Sequence, residues 1–129
     1  MHGTWSLARI ILLAVGLAQF LVFVQVTLYH YRQNFRVWPM WIPVFGTSVI
    51  GLTALIAALS NWKPLATLAA LTFGIGTAAG IIGFYYHYVG VGHRVGGYQL
   101  QNFLVGPPII LPLLISALSF LGLLAIYWR

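Results

Sequence analysis

The chain has 129 residues, of which 61% are hydrophobic and 5% charged, with six Lys and Arg side chains, no Asp or Glu and no Cys. Roughly a quarter of the residues are charged in a typical water-soluble domain, so this composition suits lipid rather than water as the solvent. Without carboxylate or thiol side chains, dedicated calcium or magnesium sites, thiolate metal centres, disulfides, acid-oriented Ser/His triads and carboxylate proton relays are excluded.

The first apolar run, about residues 7–29, is long enough to cross a ~30 Å hydrocarbon core. Trp5 stands at one end, and Tyr29 and Tyr31 at the other, as interfacial anchors. Gly16-Leu17-Ala18 offers a signal-like cleavage site, but the apolar run continues through Phe20 to Leu28, too long for a signal core, and predicts a retained helix. The polar connector from Tyr31 to Arg36 leads to a second span, about residues 40–60, with Pro43 in its first turn, where backbone N–H groups have no helical partner. Asn61-Trp62-Lys63-Pro64 makes a short turn into a third span, about residues 64–88, which Gly90 and Gly92 are expected to end. Pro107-Pro108 opens a fourth span, about residues 108–127, with Pro112 near its first turn. The predicted fold class is all-α: one domain, residues 1–129, forming an integral membrane bundle of four transmembrane helices. No internal repeat is visible.

Helical spacing gives each span an inner face. Helices in lipid associate by close backbone approach at small residues, and such stripes occur at Thr72, Gly76, Gly80, Gly83 and His87, and at Thr47, Gly51, Ala54 and Ala58. In the first span Arg9, Leu12, Gly16, Gln19, Phe23, Val26 and His30 share a face; in the fourth, Ser116, Ser119 and Gly122 do. The positive-inside rule sets Arg9, Lys63 and Arg129 against Arg32, Arg36 and Arg94, a tie. Arg9 in the first orienting segment favours both termini in the cytoplasm.

His30, His87 and His93 fall on one side of the membrane with Arg32, Arg36 and Arg94, beside a glycine-rich bend and several tyrosines. Three uses suit this group. His30 and His87 could ligate haem b, with arginines on its propionates. The same region could hydrogen-bond a quinone headgroup. A cationic vestibule could draw an anion or an acidic partner surface. The plainer reading is interfacial anchoring, with His and Arg satisfied by headgroups and backbone carbonyls. His2 lies on the other side, solvated, and a single His with no Cys or carboxylate near it is poor evidence for a metal site; Met1-His2 could bind copper only opportunistically, and no metal site is expected. Residues 99–108 are too apolar for an ordinary loop and are expected to lie along the interface, sheltering His30 and His87 if they fold over them.

The stretch from Gly90 to Pro112, with Gly96-Gly97, Asn102 and Gly106-Pro107-Pro108, resembles a pattern in small uncharacterised four-helix bacterial inner-membrane proteins. That resemblance implies a four-span plan in a bacterial inner membrane and brings no activity. His87 to Arg94 also loosely resembles the His/Gly/Arg run of succinate dehydrogenase anchor subunits, without the acidic residue expected downstream, and no role is carried over from it. The expected function is an accessory or anchor subunit of a larger membrane complex, with a respiratory complex as the nearest type. The alternatives are a small oligomeric channel or transporter for an anion or neutral solute, and a membrane enzyme acting on a lipophilic substrate. Expected partners are membrane lipid and other protein subunits or further copies of the chain. Nucleic acid is not expected, because the basic residues are scattered singly.

Overall fold

The computed structural model describes residues 5–129; Met1-His2 lies outside them. The helices are α1 (Leu7–Arg32), α2 (Ile42–Leu59), α3 (Lys63–Arg94), α4 (Leu100–Val105) and α5 (Ile110–Trp128), with a 3-10 turn at Trp38–Trp41 leading into α2. Four of these, α1, α2 with its 3-10 turn, α3 and α5, are long and apolar enough to cross a membrane. The protein is an all-α integral membrane bundle of four spans.

Local chemistry starts and stops the helices. The Ser6 hydroxyl accepts from the Arg9 N–H at 3.3 Å, capping α1. Pro43 and Pro64 occupy the first turns of α2 and α3, where their missing N–H costs nothing. Inside the spans, hydroxyls bond to their own helices: Thr27 donates to the Phe23 carbonyl, Thr53 to Val49 and Thr77 to Phe73. This answers the requirement that polar groups in a bilayer be satisfied within the protein.

The helices pack in the ring order α1, α2, α3, α5, with α1–α2 and α3–α5 the most extensive pairs and α1 and α3 on a diagonal. Most expected inner positions are buried: Leu12, Gly16, Gln19, Val26 and His30; Thr47, Gly51, Ala54 and Ala58; Gly76 and Gly80; Ser116, Ser119 and Gly122; Arg9, Phe23, Thr72, Gly83 and His87 are only partly so. Phe73, fully buried in the core of α3, was no part of the expected small-residue stripe. Large side chains such as Leu21, Phe45, Leu68 and Ile75 point outward and are more than half exposed, as lipid-facing residues should be. Two polar clamps cross the interior. Gln19 on α1 donates to Ser119 Oγ at 3.3 Å and to the Ile115 carbonyl at 3.4 Å. Ser116 Oγ donates to the Thr77 carbonyl on α3 at 2.6 Å.

One predicted boundary is overturned. Gly90 and Gly92 do not end the third helix; it runs to Arg94. Both are packing positions. A Cβ on Gly90 would come within 3.2 Å of the Pro107 ring, and one on Gly92 would strike the Tyr98 ring. The true stop is Gly96-Gly97, with φ of 98° and 123°, where the Gly97 N–H reaches back to the Gly92 carbonyl at 3.0 Å. That bond is the six-to-one closure of a left-handed helix C-terminus, which glycine adopts without steric cost. Asn102, buried in α4, then donates to the Gly97 carbonyl at 2.8 Å and ties α4 to this corner.

Candidate functional site

α1 and α3 run toward the same end of the bundle and α5 departs from it, so topology brings Arg32, Arg94 and the Gly106-Pro107-Pro108 approach together. Arg36 joins them because the chain reverses immediately after α1. Asn34 and Phe35 take left-handed conformations, with φ of 58° and 46°, and the Phe35 N–H closes onto the His30 carbonyl at 3.0 Å. Asn tolerates that region; a bulky Phe does so only under constraint. The constraint is visible: the Phe35 ring stacks on Trp41 with centroids 3.9 Å apart and planes at 12°.

The result is an open cleft of about 590 Å³ lined by Tyr29, Arg32, Gln33, Arg36, Arg94, Val95 and the stretch from Val105 to Pro108. Arg36 gives one donor to Gln33 Oε1 at 2.9 Å. Each guanidinium carries five N–H donors in a planar fork matched to carboxylate and phosphate. Three of them converge here in a chain with no Asp or Glu side chain, so the counter-charge must come from outside.

The histidines divide. His30, 9% exposed, lies under the Phe35 ring at a centroid distance of 6.2 Å, and its Nδ1 has no partner among the described residues. Phe35, in the α1–α2 connection, thus packs beside His30, while residues 99–108 reach His87 through the Pro108 carbonyl. His87 is half-buried near the end of α3. Its Nδ1 lies 2.7 Å from the Pro108 carbonyl. A carbonyl only accepts, so Nδ1 carries the hydrogen and Nε2 is the lone-pair nitrogen of the neutral ring. His93 is exposed on the last turn of α3 and does not line the cleft. No group of three or more metal-binding side chains forms among the described residues.

Arg32, Arg36 and Arg94, expected at one level beside Tyr29, line this cleft together, and Gln33 and the Pro107-Pro108 backbone are walls that the sequence does not announce. Nor does it announce a second basic group at the opposite end. There Arg9 donates to Asn61 Oδ1 at 2.6 Å and Arg129 donates to the same oxygen at 3.1 Å. Arg129 additionally donates to the Ala57 and Ser60 carbonyls at the end of α2. Burial, and then the like charge of Arg9, push the Arg129 guanidinium below its ordinary value, although an arginine remains a cation at neutral pH. The signal available was that Arg9 and Arg129 fall on the same side of the membrane.

No protein-family model matches the chain, and neither the curated proteins nor the solved structures contain a match.

Proposed function

We propose that this protein is a non-catalytic accessory subunit that anchors a larger complex in a bacterial inner membrane, docking an acidic partner surface in the Arg32/Arg36/Arg94 cleft. The observation that carries this reading is three guanidiniums around one polar-walled cleft in a chain without a single acidic side chain. Carboxylates held by paired guanidinium forks combine charge with geometry. α3 favours a protein partner at this end over lipid alone. Its 32 residues span about 48 Å at 1.5 Å per residue, well beyond the ~30 Å hydrocarbon core. With both termini in the cytoplasm, the orientation favoured by Arg9, the docking face is periplasmic.

The test is gentle affinity purification with identification of retained proteins, followed by the same experiment on R32Q/R36Q/R94Q. Recovery of an acidic membrane partner with the native chain, and its loss with the triple variant at unchanged thermal stability, is the expected result. A native chain recovered only as itself overturns the reading.

One observation favours a second, redox reading at the same end. His87, anchored through Nδ1 on the Pro108 carbonyl, presents Nε2 as an acceptor to which a quinol hydroxyl could donate. The same nitrogen could ligate haem, with His30, whose Nδ1 has no partner among the described residues, at the same end of the bundle. Solvent extraction of a quinone from the purified protein, or a Soret band in its visible spectrum, tests this; absence of both removes it.

A further inference from the structure

The end of the bundle that carries Arg9 and Arg129 holds a cleft of a different kind. It has a volume of about 610 Å³, opens between the first turns of α1 and the last turns of α5, and is mostly apolar, with Ile11, Leu121, Leu124 and Trp128 among its walls. Its mouth is crossed by Arg9, Asn61 and Arg129. We propose that this cleft is a binding site for an anionic phospholipid, with the headgroup phosphate between the two guanidiniums and an acyl chain along the α1–α5 groove.

Three observations converge on that occupant. First, two cations are gathered on one neutral oxygen, Asn61 Oδ1, at 2.6 and 3.1 Å. Like charges held together in a partly desolvated position call for an anion, and the chain has no carboxylate side chain to supply one. Burial first, and then the like charge of Arg9, lower the Arg129 guanidinium from its ordinary value. Second, donors remain for a ligand. Arg9 spends one of its five on Asn61, while Arg129 is fixed in place by the carbonyls of Ala57 and Ser60; their forks are held where a tetrahedral anion would bridge them. Third, the polar mouth continues directly into an apolar trough between two spans. A soluble phosphate would use only the mouth. A phospholipid uses both, and its phosphate sits at the depth of the helix ends, where Trp128 marks the interface. A choline headgroup would bring its own cation toward two arginines, so the site should discriminate against zwitterionic lipid.

The experiment is native mass spectrometry of the full chain in detergent, supplied with equimolar phosphatidylglycerol and phosphatidylcholine. The expected result is a single phosphatidylglycerol adduct favoured by about tenfold or more, since each basic residue near a headgroup contributes on the order of 1 kcal/mol. R9Q/R129Q should reduce that preference to parity, while R32Q/R36Q/R94Q should retain it. Removing Arg129 also removes the cap on α2, so a second variant addresses the groove alone. Leu121→Trp fills the trough and leaves both guanidiniums intact, and should lower lipid retention several-fold. Equal adducts with both lipids, retention unchanged in Leu121→Trp, or displacement of the lipid by millimolar inorganic phosphate would each overturn the proposal. Because this cleft shares no residue with the docking face, its failure leaves the anchor reading standing, and the reverse holds.

Discussion

Gly16 and Gly51 face each other across the α1–α2 contact so closely that a methyl group on either would press on the backbone of the other. A Cβ on Gly16 would lie 3.1 Å from the Gly51 carbonyl oxygen and 2.7 Å from the Leu55 side chain; one on Gly51 would lie 3.3 Å from the Gly16 carbonyl oxygen. In lipid, where apolar surface gains nothing by leaving the solvent, such backbone proximity supplies dispersion contact that larger residues would forbid. Gly16→Val should therefore destabilise the bundle by about 1–3 kcal/mol, the usual range for overpacking. Gly46 and Gly74 have open space where a Cβ would go, and Ala there should leave the thermal unfolding midpoint in detergent unchanged or raised.

Gly80 is the stricter position. A Cβ there would meet the Pro112 carbonyl oxygen at 2.5 Å and the Ser116 N at 2.7 Å, and these are backbone atoms that cannot turn aside. Gly80→Ala should push α3 from α5 and break the bond from Ser116 Oγ to the Thr77 carbonyl. Gly83→Ala, meeting only the Pro112 ring at 3.2 Å, should cost less. Unfolding in detergent that ranks Gly83→Ala as the more damaging of the two would contradict this packing.

Gln19 is fully buried at mid-bundle, with long bonds through Nε2 and an Oε1 that has no partner among the described residues. Interhelical hydrogen bonds in membranes average only about 0.6 kcal/mol, and the orphaned oxygen offsets part of that gain. Gln19→Leu should change stability by less than about 1 kcal/mol, because the bond lost is that weak. Gln19→Ala, which leaves a void, should cost more. A fall in stability of several kcal/mol for the leucine variant would show that the clamp matters more than its geometry implies.

The corner at Gly96-Gly97 needs glycine for backbone conformation and not for room, since neither glycine has an atom within 4 Å of where a Cβ would stand. Ala at either site must occupy a left-handed or still rarer conformation, at a cost of roughly 1–2 kcal/mol. Gly96→Ala or Gly97→Ala should loosen the end of α3 and speed hydrogen exchange through α4 while leaving the middle of the spans protected. Uniform exchange rates across the variants would argue against this corner.

The absence of cysteine makes topology directly measurable. Trp62 and His93 are exposed at opposite ends of α3. With the orientation proposed, an impermeant maleimide added outside intact cells should label His93→Cys and spare Trp62→Cys. The reverse pattern inverts the protein, and labelling of both from one side contradicts a single crossing by α3.

The four spans and most of their inner faces were legible because lipid imposes simple rules: long apolar runs, and small residues where backbones meet. Gly16, Gly51, Gly80 and Ser116 obey both. The end of α3 was misread because glycine has two uses. Gly90 and Gly92 make room for Pro107 and Tyr98 inside a continuing helix, whereas Gly96 and Gly97 terminate it, and composition does not separate room from conformation. Arg32, Arg36 and Arg94 could be placed together because alternate spans end on the same side. The sharing of Asn61 by Arg9 and Arg129 could not, because it depends on the order of helices around the ring, which periodicity does not encode. Nor did the residues foretell that Phe35 would be held in a left-handed conformation over His30.

The spans are unequal. α5 has 19 residues and α2 with its 3-10 turn has 22, while α3 has 32, so a bilayer fitted to the shorter pair leaves part of α3 projecting like a post. The aromatic rings of Tyr88, Tyr98 and Phe103 gather around that projection, Tyr88 and Tyr98 with centroids 4.7 Å apart, and brace it against the α4 corner. A thicker membrane would swallow the post and a thinner one would expose more of it, so the height of this platform above the headgroups is set by the host bilayer as much as by the protein.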